Sequence, residues 1–124
     1  MNLNRYNSWA VVTAECSKES KAFSIIKELQ DKDFKVVAID ENLNPIDGVE
    51  VYESLKDVPN NIDVVTIVEK YTMIESIFDE MELLDIRNLW FEEGSFNAAI
   101  LKKAKELKLN IEHESDLCRE LNDL

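Results

Sequence analysis

The residues of this chain best suited to chemistry stand where its apolar runs end. The first run, residues 9–13, stops at Thr13, and Ala14, Glu15, Cys16, Ser17 and Lys18 follow before helical spacing begins. A polar turn between a strand and a helix gathers free backbone amides at a helix N-terminus, whose partial positive charge favours a phosphate. Thr13, Ala14, Glu15, Ser17 and Lys18, with Lys21 close by, are therefore candidate phosphate contacts, set against the simpler reading of an ordinary capped turn. Asp40 closes the second apolar run, the position from which an acid accepts a ribose 2′-hydroxyl in dinucleotide-binding sheets. No GxGxxG turn accompanies it, and a solvated strand end is the simpler reading. Further on, Gly94 can take a positive φ after a strand, and Asn97 can cap the helix that follows.

Other chemistries find less support. There is no Ser-His-Asp grouping, nucleophile elbow, Walker turn or HExxH. Glu112, His113, Glu114, Asp116 and Cys118 have metal-ligating side chains, but His113 is the only histidine and the segment reads as an acidic exposed terminus. Carboxylates at Asp116 and Glu120 would raise the thiol pKa of Cys118, which argues against a nucleophile. Catalysis is not expected.

The elements that must position these residues are legible from periodicity. Residues 9–13, 34–39, 63–68 and 88–91 are nearly continuous apolar runs, as in strands buried on both faces. Helical spacing appears from Ser20 to Asp31, from Tyr71 to Leu84 and from Asn97 to Leu109. Shorter pieces complete the pattern: an extended stretch at 49–52, one helical turn at 54–57 halted before Pro59, a strand near 110–112 and a last helix from Ser115. This alternation predicts an α/β fold, a three-layer α/β/α sandwich around a doubly wound, Rossmann-like parallel sheet of about five strands. A single domain over residues 1–124 suits the length.

Charge narrows the partners. Asp and Glu number 26 against 14 Lys and Arg, a formal net charge of -12, which repels nucleic acid and anionic membranes alike. No stretch of 18 apolar residues occurs, and the N-terminus lacks a basic region followed by an apolar one, so a cytoplasmic protein is expected. Cys16 and Cys118 form no CxxC pair and are expected as reduced thiols.

Several local patterns fall together. Residues 9–14 from Trp9 to Ala14, Gly48 followed by Tyr52 to Leu55, Val58 with Pro59, residues 62–65, and above all Leu89 to Gly94 with Asn97 resemble the small CoA-binding domain family. That family is similar to the nucleotide-binding domain of the succinyl-CoA synthetase alpha subunit. The resemblance implies a Rossmann-type fold and non-catalytic binding of CoA, an acyl-CoA or a related adenine nucleotide. It also implies that Lys70, after the third long strand, and Glu92, Gly94 and Asn97 border the ligand cleft with Thr13 to Ser17 and Asp40. The sequence departs from the family pattern at the contacts themselves: Glu15 falls in a turn usually of Gly-Ala-Ser type, Asp40 and Glu41 replace Asn-Pro, and Glu92 replaces Gln. Two alternatives therefore stand beside a CoA carrier or sensor. One is a degenerate Rossmann domain acting as an interaction module, as a homodimer or with another protein, and the other, less favoured, is an NAD-binding protein.

Overall fold

The computed structural model describes residues 1–14, 17 and 19–124. Six strands form one all-parallel sheet: β1 (Ser8–Val12), β2 (Lys35–Ile39), β3 (Val51–Tyr52), β4 (Val64–Ile67), β5 (Asn88–Phe91) and β6 (Asn110–Glu112). Among the described residues four α-helices connect or follow them: α1 (Lys21–Asp31), α2 (Ile74–Leu83), α3 (Ala98–Glu106) and α4 (Leu117–Asn122). The strand order is β3-β2-β1-β4-β5-β6, that of dinucleotide-binding Rossmann sheets. The expected α/β sandwich is thus the observed fold, with six strands rather than about five. The additional one is β3, whose two residues pair with Ala38 and Ile39 at the sheet edge; two residues carry no period, so sequence gives only an extended piece.

Burial on both faces explains the continuous apolar runs. In β1, Trp9 and Val11 face a core built with Ile25, Ile26 and Leu29 of α1 and Leu117 and Leu121 of α4. Ala10 and Val12 face the opposite core, with Ile77, Phe78 and Met81 of α2 and Ala104 of α3. The same alternation sends Trp90 of β5 to the first core and Leu89 and Phe91 to the second. Each fully buried side chain of this size contributes roughly 1.5–3 kcal/mol of transfer free energy. Right-handed crossovers place α1 and α4 on one face and α2 and α3 on the other.

The first three helices end alike. Asp33, Asp85 and Lys108 adopt positive φ (66°, 56° and 60°) just beyond α1, α2 and α3. In each case the next residue, Phe34, Ile86 or Leu109, donates its amide back to a helix carbonyl, at Leu29, Met81 and Ala104 respectively. These are Schellman endings, with an apolar residue folded against the helix and the left-handed position occupied by a residue other than glycine. A left-handed lysine costs about 1 kcal/mol relative to glycine. Lys108→Gly should therefore raise the stability by about 0.5–1 kcal/mol, read as a higher urea midpoint at unchanged slope.

Candidate functional site

A parallel sheet delivers every strand to the same edge, and the candidate residues lie there. Beyond β1, the buried Thr13 donates its hydroxyl to Glu69 Oε1 at 2.6 Å, and the Ala14 amide donates to the same oxygen at 2.8 Å. Glu69 lies just beyond β4, which pairs directly with β1 where the strand order reverses. A carboxylate oxygen thus occupies two donors of the turn expected to meet a phosphate. Glu15, Cys16 and Lys18 of that turn lie outside the described residues. Ser17 donates its amide to Ser20 Oγ at 3.2 Å, and Ser20 caps α1 by accepting from the Phe23 amide.

Asp40 ends β2 and is wholly buried. Its two carboxylate oxygens accept from the Asn42 amide at 2.8 Å and from Asn44 Nδ2 at 2.9 Å, while its carbonyl accepts from the Leu43 amide. The acid therefore stands where a ribose acceptor would stand, with both oxygens engaged by its own loop.

Glu92 ends β5 and is also fully buried. Oε2 accepts from Trp90 Nε1 at 2.7 Å and from the Leu117 amide, the first of α4, at 3.0 Å. Oε1 makes no aligned hydrogen bond but lies 3.2 Å from Lys21 Nζ, whose side chain is 40% exposed. One carboxylate thereby ties β5 to the N-terminal ends of α1 and α4. Beyond it, Ser95 folds back on the Glu92 carbonyl through its amide and hydroxyl, Gly94 takes φ +84°, and Asn97 caps α3 by accepting from the Ile100 amide at 2.8 Å. The cap and the positive φ are those read from the sequence. Lys70 is exposed.

Among the described residues, two clefts lie at this edge. The larger, about 490 Å³, lies beyond β2, β3 and β4, with Tyr71, Met73 and Ile77 as its less polar wall. Glu41, Glu53, Asp57 and Glu80 border it against Lys56 alone. Burial raises the Tyr71 phenol above its ordinary value, partly offset by the Glu41 backbone amide. Burial likewise raises Glu80, whose carboxylate accepts from the Leu55 amide. The smaller cleft, about 300 Å³, lies beyond β5 and β6 between Lys21, Phe96, His113 and Arg119. His113 meets Phe96 edge-on at 5.4 Å. Cys118 is half-buried, and its thiol is pushed up to about 11, by burial first and then by Asp116 and Glu92, so it is protonated at neutral pH. Among the described residues no helix is long and apolar enough to cross a membrane.

The strand order defines a Rossmann-like domain, with clefts at the carboxyl edge of the sheet where such domains hold their ligands. The chain belongs to the CoA binding domain family, which it matches over residues 7–121. It is 22% identical over 104 residues to the uncharacterized protein YneT of Bacillus subtilis, covering 84% of this chain and 77% of that one. Its fold is similar to that of a hypothetical protein from Pyrococcus horikoshii, with TM-score 0.87, 26% identity, and coverage of 98% of this chain and 86% of that one. A dinucleotide-forming acetyl-coenzyme A synthetase from Ca. Korarchaeum cryptofilum, solved with phosphate and ADP, shares the fold over 87% of this chain and 26% of its own, with TM-score 0.66 and 18% identity.

Sequence reasoning missed the seat that Glu69 occupies, because it depends on which strand lies beside β1. The available signal was an acid immediately after the third long apolar run. Glu92, grouped by resemblance with the cleft, is held in the interior by hydrogen-bond donors from β5 and α4 and by the Lys21 ammonium of α1. Glu92→Leu would leave Trp90 Nε1 and the Leu117 amide without an acceptor, and should cost about 3 kcal/mol in urea denaturation; Lys21→Ala, which removes a partly exposed partner, should cost less.

Proposed function

We propose that this protein binds CoA, an acyl-CoA or a related adenine nucleotide at the carboxyl edge of its sheet, without catalysing a reaction on it. The observation that carries the reading is the seat at the end of β1, where the Thr13 hydroxyl and the Ala14 amide converge on one carboxylate oxygen of Glu69. Two donors converging on one anionic oxygen at a topological switch point have the chemistry a ligand phosphate requires. Glu69 is then a resident stand-in for that phosphate. A ligand must displace it or bind beside it, and either route weakens affinity. The base and ribose would take the cleft of about 490 Å³ beside Tyr71, a volume in the range of small-ligand sites. Gly94, Asn97 and the exposed Lys70 would border the path of the remaining chain. A carrier or sensor acting in the cytoplasm fits this reading.

A second reading has its own support. Asp40, Glu69 and Glu92 all have hydrogen-bond donors within the protein, as they would in a domain that had lost its ligand and serves protein interaction. One experiment separates the two. Thermal denaturation of the natural protein and of Glu69→Gln is followed with millimolar CoA, acetyl-CoA, ATP and NAD. Binding at about 100 times the dissociation constant stabilises by roughly 2.7 kcal/mol, a rise of several degrees in a domain of this size. CoA or acetyl-CoA should shift the natural protein. Removing a unit charge some 6 Å from a phosphate, worth about 2–3 kcal/mol at an effective dielectric near 20, should tighten binding of Glu69→Gln by tenfold or more. Absence of a shift in both proteins with every ligand would reject the binding function and leave the interaction module.

A further inference from the structure

The carboxyl edge of the sheet is divided between donors and acceptors. At the end of β1 stand donors, the Thr13 hydroxyl and the Ala14 amide. In the cleft of about 490 Å³ beyond β2, β3 and β4 stand acceptors: Glu41, Glu53, Asp57 and Glu80 line it, and among the described residues that do so Lys56 alone is basic. Among the described residues none of these four carboxylates is in an ion pair. Two donors of the same wall are already taken, since the Ser54 hydroxyl donates to Asp57 at 2.9 Å and the Asn42 amide donates to Asp40 at 2.8 Å.

The negative field reaches the floor of the cleft. Tyr71 is only 7% exposed, and its hydroxyl oxygen accepts from the Glu41 amide. Burial raises this phenol, the Glu41 amide offsets part of the rise, and the charges of Glu41, Asp40 and Glu80 add to it. Carboxylates from the end of β2 and from α2 therefore act together on one hydroxyl.

We propose that this cleft selects an adenine nucleotide whose ribose keeps both its 2′- and 3′-hydroxyls, so that 3′-dephospho-CoA is preferred to CoA. The proposal rests on the binding reading above, which puts the base and ribose here. A ribose diol brings two donors to a wall of acceptors, the pairing by which an acid at a strand end holds ribose in dinucleotide-binding sheets. CoA carries a phosphate on the 3′-oxygen, a group that adds about -1.5 to -2 of charge at neutral pH. The phosphate removes one donor, adds acceptor oxygens and sets them among four carboxylates that lack an ion pair, with Lys56 as the counterweight. The 5′-phosphates are treated differently, because they meet the Thr13 and Ala14 donors.

Glu41, Glu53 and Asp57 are exposed, so water and salt screen each of them. Acting together on a group of nearly two charges, they still favour the unphosphorylated ribose by about tenfold at low ionic strength. Salt narrows the difference.

Isothermal titration calorimetry on the full chain compares CoA with 3′-dephospho-CoA, two ligands that differ by one phosphate. At low ionic strength 3′-dephospho-CoA should bind about tenfold more tightly, and the ratio should shrink near 0.5 M salt, where the Debye length is only a few ångströms. Glu41→Gln with Glu53→Gln removes two exposed charges of the cleft and keeps the side-chain shape, and should lower the ratio about threefold or more. Glu82→Gln with Glu106→Gln removes two exposed charges near the far ends of α2 and α3 and should leave the ratio unchanged, which separates the cleft from the net charge of the protein. Far-UV circular dichroism checks that both variants fold. CoA binding as tightly as 3′-dephospho-CoA would overturn the selectivity and leave the binding reading standing, whereas binding of neither would remove both. A ratio that is unchanged by the cleft substitutions, or that falls equally with the distant ones, would also overturn the proposal.

Discussion

The structure depends on what satisfies the amides at the carboxyl edge of the sheet. Parallel strands turn into helix N-termini there, so unpaired N–H groups and the positive ends of helix dipoles collect along one line. Related sheets can leave that field to the phosphates of a ligand. Among the described residues, carboxylates meet it from within, three of them at candidate positions: Asp40 beyond β2, Glu69 beyond β4 and Glu92 beyond β5. Their positions follow from the order of the strands, since each acid closes an apolar run and is carried by it to the edge.

The three acids do different work. Glu92 is the most constrained, buried with an indole, a helix amide and an ammonium around it, and its loss would loosen β5, α1 and α4 together. Asp40 holds only its own loop, through Asn42 and Asn44. Glu69 is half-buried and spans two strands that are remote in sequence. Under the proposed function, a ligand phosphate would take the place of this carboxylate at the Thr13 hydroxyl and the Ala14 amide. The wider acidity of the edge, with four carboxylates around the larger cleft, acts against any polyanionic ligand and compounds the effect of Glu69.

Much of this was legible in the sequence. Continuous apolar runs marked the strands because both faces of the sheet are covered, and the change to helical spacing marked α1, α2 and α3 because each buries one stripe. Gly94 and Asn97 were readable because positive φ and helix capping are local demands. The role of Glu92 was not, since Trp90 is two residues away but Leu117 and Lys21 are 25 and 71. Glu69 was hidden for the same reason: its partners adjoin it only once β4 pairs with β1. Local conformation is written in neighbouring residues, whereas the contents of a site at a sheet edge are written in strand order.

In the proposed function Glu69 holds the seat a ligand phosphate would take. The most direct measurement is the amide resonance of Ala14 in a ¹⁵N–¹H correlation spectrum, with and without saturating CoA. Exchange of a carboxylate for a phosphate at 2.8 Å from that amide should place Ala14 among the most shifted resonances, while Leu117, held by the buried Glu92, keeps its position. A CoA-saturated spectrum in which Ala14 has not moved would rule out a phosphate at this seat.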